Sequence, residues 1–360
     1  MSGRWRWPRP NWPPAAEAMN GEDSRSGLLQ KALKGALVLI GIALFCYLVI
    51  DMGAATIVAQ LSRFGWWFAA VCVLGASWLL LQTLAWRTMQ REQFKNVSLV
   101  FLFNVKLISD ALNTLLPSAN LGGETARLYF TSRFLSKKEG LAGVIADKTF
   151  EYAAGIPFMV FGFLVAWLGG FFPKPLVLPA VLCLVISLAG IVIFASFQLK
   201  GMHPVLAAVS RFMPPLRRWI GERERQIRAL GVHLVRLYRV RPSRTLAAWG
   251  FHFLARLTGV LETILVMHVL GSPVDLPRAL FITAMIAGVN TVFFLMPGQW
   301  GVAEGSHLFI LQSMGYPPLV GLSLGIIKRI RKLAFAVFGL LLYSWYRHGR
   351  GAARIKKSHG

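Results

Sequence analysis

The composition of this 360-residue sequence excludes an ordinary soluble globular protein. Hydrophobic residues make up 55% of it, charged residues only 15%, and the mean hydropathy is +0.55, which indicates an integral membrane protein. The 39 Lys or Arg outnumber the 15 Asp or Glu and give a formal net charge of +24. Most of the basic residues fall between apolar segments, so membrane topology and anionic lipid explain them better than nucleic acid does.

The chain begins with residues 1–30, rich in Trp, Pro, Arg and Gly, for which we predict a disordered cytoplasmic arm rather than a signal peptide. Apolar segments that approach the roughly 20 residues required by a bilayer follow at 34–51, 64–86, 98–116, 139–170, 176–198, 246–270, 278–296 and 318–345. The sequence therefore predicts an all-α, polytopic membrane helix bundle of about eight transmembrane helices over 31–346, with a basic cytoplasmic tail at 347–360.

A basic loop, 199–245, separates the fifth and sixth apolar segments. Within it Leu, Ile, Trp and Tyr recur at helical spacing among arginines. Such a pattern is typical of an amphipathic helix that lies on the inner leaflet, or of a cap packed on the bundle. We expect one of these two arrangements.

A pattern of proline, glutamate and lysine occurs twice, at an offset of 180 positions, although the identity between the two copies is low. The corresponding residues are Pro117, Glu124 and Lys148 in the first copy and Pro297, Glu304 and Lys328 in the second. The prolines are accompanied by glycines, which are Gly122, Gly123, Gly298 and Gly301. Because non-helical backbone at membrane depth is tolerated only where protein or a water-filled cavity surrounds it, both copies predict a re-entrant hairpin.

The positions of the basic residues predict the orientation of the two copies. Lys and Arg in short loops stay cytoplasmic, so the N-terminus, the turn near Lys137, the loop 199–245 and the C-terminal tail are expected inside. The first hairpin then starts and ends inside, and the second starts and ends outside. We therefore predict two repeat halves, 31–198 and 246–346, in the inverted arrangement typical of secondary transporters.

Charged residues inside the apolar segments are the candidate site. Each Asp, Lys or Arg at the centre of a spanning helix costs about 2.5 to 3.5 kcal/mol on insertion scales, so such residues usually face a cavity or a charged partner. The cations expected to bind a lipid headgroup are Arg127, Lys148, Lys328, Arg329 and Arg331. The carboxylates expected to balance charge or to gate are Asp110, Glu124, Asp147, Glu151, Glu262 and Glu304. Structural ion pairing alone remains an alternative.

Helical spacing suggests specific partners. Lys148 and Glu151 share a face at i, i+3, and Lys106 and Asp110 form an i, i+4 pair that could neutralise itself. Arg256 and Glu262 are six residues apart, so each is expected to contact another helix. The cations from Lys328 to Lys332 have no carboxylate in their own segment and need one from elsewhere. The available carboxylates are Glu304, Glu262 and Asp110.

Metal and nucleophile signals are weak. Glu304-Gly-Ser-His307 resembles half of a carboxylate-bridged metal site, but Arg127 occupies the position of His307 in the first copy. The three cysteines share no metal-ligand spacing with a histidine, and no nucleophile with a base is visible. We expect no metal, no cofactor and no enzymatic activity.

At the two hairpins the sequence resembles the lysylphosphatidylglycerol synthase transmembrane-region family, also described as flippase-like membrane proteins. The resemblance is carried by Pro117, Gly123-Glu124-x-x-Arg127, Asp147-Lys148, Pro297-x-x-x-Gly301-Val302-Ala303-Glu304-Gly305 and Lys328-Arg329-x-Arg331. It covers residues 30 to 346, and the second hairpin is most similar to the branch encountered with hopanoid biosynthesis. Aminoacylating members carry a soluble transferase domain after the membrane part, so synthase activity is not expected here.

The resemblance implies about eight helices, two re-entrant elements and a role in moving or handling a lipid. We therefore expect a multi-pass protein of the bacterial inner membrane that translocates or binds an amphipathic lipid, either an anionic phospholipid or a hopanoid-type lipid. No nucleotide-binding motif is present, so a gradient or downhill flow would drive movement, with Glu124 and Glu304 as candidate proton carriers. The alternatives are a scaffold that recruits a lipid- or envelope-biosynthesis enzyme through the loop 199–245, and an intramembrane lipid-modifying enzyme.

Overall fold

A computed structural model describes residues 62, 64–115, 122–132, 134–199, 234, 242–293 and 302–358. All regular structure in these ranges is helical, which confirms the all-α prediction. The first five helices are α1 (Trp67–Met89), α2 (Leu99–Leu115), α3 (Gly122–Thr131), α4 (Lys137–Ala153) and α5 (Gly155–Leu168). A short 3-10 turn at Lys174–Leu176 precedes α6 (Val177–Leu199), α7 (Pro242–Val269), α8 (Leu276–Val292), α9 (Val302–Ser313) and α10 (Pro318–Ser358).

The helix bounds follow local sequence signals. Ser136 caps α4 through a reciprocal capping box with Glu139, which satisfies backbone donors that the first turn leaves free. The predicted segment 139–170 is divided at Ala154 into α4 and α5. Pro157 explains the break, because a proline inside a helix removes a backbone hydrogen bond and clashes with the carbonyl four residues earlier, here that of Ala153.

Four helical stretches in the described part of the chain are long and apolar enough to cross a membrane by length and composition. They are Trp67–Met89, Lys137–Leu168, Lys174–Ile193 and Pro242–Val269, and Leu276–Val292 is a shorter apolar helix. Large apolar side chains on α5 and α6 face outward, among them Trp167, Leu178 and Val185, as expected for contact with lipid. Segment 34–51 and most of loop 199–245 lie outside the described residues, so the count of eight stays a prediction.

Helix packing follows the 180-residue offset. Apart from the contact of α9 with the following α10, the main pairings join α1 to α7, α2 to α10 and α5 to α8. Adding 180 to a residue number converts α1 into α7, α2 into α8, and α4 with α5 into α10. Exchanging each helix for its equivalent therefore leaves the α1–α7 pairing unchanged. The same exchange turns the α2–α10 pairing into the α8–α5 pairing. The two halves pack as an exchangeable pair.

The α1–α7 crossing shows how the halves are oriented. Met89, near the end of α1, packs in one cluster with Ala248, near the start of α7. Val71, near the start of α1, belongs to the cluster that holds Val266, near the end of α7. The two helices are therefore antiparallel. Equivalent helices related by an axis perpendicular to them run antiparallel, which is the relation that an inverted repeat requires.

Glycines allow close approach at both of these crossings. A Cβ added to Gly339 of α10 would lie 2.8 Å from the carbonyl oxygen of Leu107 in α2, and a Cβ on Gly162 of α5 would lie 3.3 Å from the carbonyl oxygen of Leu280 in α8. Small residues thus let the helix backbones approach at the α2–α10 and α5–α8 crossings.

Candidate charge clusters between the halves

Asp147 lies at the centre of a buried group of charges on the first half. We name this group the first cluster, and its members are Lys106, Glu124, Arg127, Asp147, Lys148 and Glu151. One oxygen of Asp147, Oδ2, accepts hydrogen bonds from Lys106 Nζ at 2.9 Å and from Arg127 Nη2 at 2.8 Å. The other, Oδ1, lies 3.1 Å from His252 Nε2. A single carboxylate therefore joins α2, α3, α4 and α7.

Arg127 fixes the short helix α3 against its neighbours. Its Nη1 donates to Glu124 Oε2 at 2.8 Å, and its guanidinium carbon lies 4.1 Å from the centre of the Trp86 ring. The side chain has no exposed surface. These charge-assisted and cation–π contacts involve Arg127 in the packing of α3, so the geometry favours a structural role over the predicted headgroup contact.

The start of α3 is held by α2 as well. The amide of Gly123 donates to Asn113 Oδ1 at 2.7 Å, and a Cβ added to Gly123 would lie only 2.0 Å from the carbonyl oxygen of Ser109. This glycine of the predicted hairpin therefore permits a close backbone approach. Gly122 is the first residue of α3, while Pro117, Pro297, Gly298 and Gly301 lie outside the described residues.

Lys148 forms the accessible edge of the first cluster. Its Nζ lies 3.0 Å from Glu151 Oε2 and 3.4 Å from Glu124 Oε1, which confirms the predicted i, i+3 pair. The side chain of Lys148 is 23% exposed and that of Glu151 is 18% exposed. Solvent or a ligand can therefore reach this edge, while Asp147 behind it is fully buried.

The expected Lys106–Asp110 pair is wrong. Lys106 is buried and bonds across to Asp147 on α4, because a buried ammonium needs a carboxylate on the face that it occupies. Asp110 is only half-buried and acts electrostatically on Lys332 of α10. Sequence spacing places Lys106 and Asp110 on adjacent turns, but the neighbouring helices determine which carboxylate each cation contacts.

His252 and Arg256 of α7 complete the surroundings of the first cluster, and sequence reasoning did not place them there. Arg256 Nη2 donates to the carbonyl oxygen of Glu151 at 2.7 Å, which confirms that Arg256 reaches another helix. His252 and Arg256 are four residues apart and thus occupy one face of α7. That face contacts Asp147 and Glu151, which are also four apart. A polar i, i+4 pair on an apolar helix was the available signal.

A second group of charges joins α10 to α7. We name it the second cluster, and it consists of Glu262, Thr263, Lys328 and Arg331. Arg331 Nε donates to Glu262 Oε1 at 2.7 Å, and Lys328 Nζ donates to the hydroxyl of Thr263 at 2.9 Å. The expectation that α10 takes a carboxylate from another segment is confirmed for Glu262. The side chain of Glu304 lies outside what the structure describes.

The two clusters adjoin at α10. Lys332 is within electrostatic reach of Lys148 in the first cluster and of Arg331 in the second. Gly75 of α1 leaves room for this region, since a Cβ there would lie 2.5 Å from Arg331 Nη1. The charged side chains therefore form one polar region at the contact of the two halves.

Metal ligation finds no support in the described residues. They contain no group of three or more His, Cys, Asp or Glu that could hold a metal ion. His307 lies in hydrogen-bonding contact with the carbonyl oxygen of Ala303 through Nδ1. The resemblance of its segment to half of a metal site thus has no second half among these residues.

Comparison with known proteins supports the family resemblance seen in the sequence. Residues 33–339 match the model of the lysylphosphatidylglycerol synthase TM region. The chain belongs to this family. This TM-region protein is 24% identical to a UPF0104 membrane protein of Methanothermobacter thermautotrophicus. The alignment spans 314 residues and covers 82% of this chain and 90% of that protein. No solved structure matches it. The resemblance predicted from the hairpins is confirmed, and the chain is a membrane protein.

Proposed function

We propose that this TM-region protein binds an amphipathic lipid by an anionic headgroup and moves it across the membrane. The observation that carries the proposal is the hydrogen bond from Lys328 to Thr263, in which a cation within the bundle contacts a neutral hydroxyl. A lysine ammonium has three donors, and its burial is costly unless an anion balances it. A phosphate oxygen would supply that balance.

The charges around α10 support the same conclusion. Three of its cations, Lys328, Arg329 and Arg331, are partly buried, and Glu262 is the carboxylate beside Lys328 and Arg331 in the described part of the chain. Lys332 is exposed and lies near Asp110. Even with Glu304 as a second carboxylate, the three partly buried cations are in excess. A surplus of cations inside a membrane protein marks a pathway or binding site more often than a packing element.

Exposure distinguishes the cations that can reach a headgroup. The side chains of Lys148 and Arg331 are 23% and 17% exposed, whereas that of Arg127 is 0% exposed. We assign headgroup contact to Lys148, Lys328, Arg329 and Arg331. The hydrocarbon tail would remain in the bilayer, so that only the headgroup crosses the polar region.

The proposal includes no chemical step and places the protein in the bacterial inner membrane with both termini cytoplasmic. The distribution of basic residues along the sequence supports this orientation. The scaffold alternative depends on loop 199–245, most of which lies outside the described residues. Deleting that loop should abolish a scaffold's enzyme recruitment but leave lipid movement intact.

Reconstituted vesicles test the proposal. The purified protein would be placed in liposomes that contain a trace of fluorescent phosphatidylglycerol or phosphatidylcholine, and bleaching by dithionite would report lipid movement between leaflets. We expect faster movement of the anionic phosphatidylglycerol. Lys328→Gln should remove that preference, while Arg278→Gln, which removes a cation from an exposed pair with Asp275, should retain it.

Two results would overturn the proposal. Equal rates for protein-containing and protein-free vesicles with both lipids would exclude translocation. A wild-type preference for phosphatidylglycerol in Lys328→Gln would exclude the assigned site. Size-exclusion chromatography of each variant provides the control for folding.

A further inference from the structure

His252 is a buried titratable group at the contact between the halves. Its side chain has no exposed surface, and Nε2 lies 3.1 Å from Asp147 Oδ1. Because a carboxylate accepts hydrogen bonds, Nε2 carries the hydrogen in the neutral ring. The other ring nitrogen, Nδ1, is buried and has no hydrogen-bond partner among the described residues. Neutral His252 can therefore take up a proton at Nδ1 without losing its bond to Asp147.

Arg256 lies on the same face of α7, one turn from His252. Its Nη2 is bonded to the carbonyl oxygen of Glu151, while its Nε is buried without a partner in the described part of the chain. The carboxylate of Glu151 pairs with Lys148 instead. Arg256 therefore lies directly behind the accessible Lys148–Glu151 edge and retains an unused donor.

The charges that face His252 have a positive excess. Asp147 and Glu151 face it from α4, Lys106 and Arg127 reach Asp147 from α2 and α3, and Arg256 lies on its own helix. With Glu124 and Lys148, four cations face three carboxylates while His252 is neutral.

The other helices packed on α7 change this balance little. The ionisable residues of α1 are Cys72 and Arg87, α5 has none, and α8 has Arg278 near its start. The cations Lys328 and Arg331 of α10 meet α7 at Thr263 and Glu262, about 15 Å along the helix from His252. The excess near His252 thus comes mainly from Arg256.

We propose that an anionic headgroup binds beside Arg256 and that His252 takes up a proton at Nδ1 when it does, so that anion and proton enter the protein together. The inference rests on the proposed lipid-binding function and adds its coupling ion. An anion offsets the excess charge that opposes protonation of His252. The proton comes from the aqueous phase, binds the ring nitrogen lone pair and returns there when the anion leaves.

Linkage sets the sign of the pH dependence. Binding that takes up a proton is strongest at low pH and weakens as pH rises. For one linked proton the limiting change is about tenfold in affinity per pH unit.

Calorimetry on the purified full chain tests the inference without requiring transport. Water-soluble short-chain phosphatidylglycerol would be titrated into the protein in neutral detergent, between about pH 5 and pH 8, in buffers of different ionisation enthalpy. The heat difference between buffers counts the protons taken up. We expect uptake of a proton by the wild type, none by His252→Gln, and wild-type uptake by His268→Gln, which alters an exposed histidine on the same helix.

A further variant tests the anion contact. Arg256→Gln should weaken binding of phosphatidylglycerol at every pH, with little effect on binding of short-chain phosphatidylcholine. Proton uptake that persists in His252→Gln, or equal affinities for phosphatidylglycerol in Arg256→Gln and wild type, would overturn the assignment.

Measurements of binding and proton uptake on the wild-type protein test the inference even if a variant fails to fold. Binding of phosphatidylglycerol without proton uptake would refute the coupling and leave the proposed function standing. Binding with proton uptake but without movement in vesicles would refute translocation and support the coupling. Absence of binding would refute both.

Discussion

The two charge clusters occupy corresponding positions in the two halves but balance their charges differently. Lys148 corresponds to Lys328, and Glu151 corresponds to Arg331. In the first cluster Lys148 pairs with Glu151 on its own helix, whereas in the second Arg331 takes its carboxylate from α7. The first cluster thus fixes α3 and α4 and reaches the other half through His252 of α7, whereas the second joins two helices of the second half.

This difference indicates which cluster stabilises and which binds. A hydrogen-bonded buried pair contributes little net stability, but removal of one partner leaves an uncompensated charge and costs several kcal/mol. The interior of the first cluster has that character, since Asp147 and Arg127 have no exposed surface. In the second cluster Glu262 and Thr263 are buried, but Arg331 is 17% exposed and two cations accompany one carboxylate, so its loss should affect ligand binding more than folding.

Asp147→Asn should have the largest effect on stability. The substitution leaves Lys106 and Arg127 without their shared charge, and we expect a loss of about 3 to 5 kcal/mol. Thermal unfolding of the detergent-solubilised protein, followed by loss of the monodisperse chromatographic peak, would measure it. Asp275→Asn, in the exposed pair with Arg278, is the control, and equal midpoints for the two variants would contradict the assignment.

Glu262→Gln tests the second cluster. It leaves Arg331 half-buried without a carboxylate, and the cost in stability should be about 1 to 3 kcal/mol, less than for Asp147→Asn. Because the substitution increases the excess of positive charge, binding of short-chain phosphatidylglycerol should become tighter. Calorimetry against wild type would show this, and weaker binding with a wild-type unfolding midpoint would exclude the proposed role of α10.

The short helices α3 and α9 give a pair of glycines for comparison. Gly123→Ala directs a Cβ at the carbonyl oxygen of Ser109, 2.0 Å away, whereas nothing lies within 4 Å of a Cβ on Gly305. We expect Gly123→Ala to cost about 1 to 3 kcal/mol through overpacking. Gly305→Ala should be neutral or stabilising by up to about 1 kcal/mol, because alanine favours the helix. Unfolding midpoints that change in the opposite order would show that α3 does not pack as described.

The sequence predicted the elements better than the contacts. Hydropathy determined the bounds of α1, α2 and α6 to within a few residues, because long apolar runs leave few alternatives to a helix. The 180-residue offset also agrees with the pairings of α2 with α10 and of α8 with α5, since a register is visible in the sequence alone.

Contacts between distant helices were harder to predict. The pairing of Asp147 with His252 joins positions 105 residues apart, and helical spacing within one segment cannot indicate it. The same limit explains the wrong Lys106–Asp110 pair. Glu262 was found as a partner for α10 because carboxylates are so few in this sequence that the choice was small.

We expect the smallest loss of stability from breaking an ion pair that lies outside the two clusters. Arg244, at the start of α7, pairs with Glu92 at 2.8 Å, and the carboxylate is 59% exposed. Exposed pairs contribute about 0.2 to 1 kcal/mol and are screened by salt. Arg244→Gln should therefore lower the unfolding midpoint slightly at low ionic strength and leave it unchanged at high salt. A salt-independent loss as large as that of Asp147→Asn would mean that burial does not separate structural from peripheral charges in this protein, and the division between the two clusters would lose its basis.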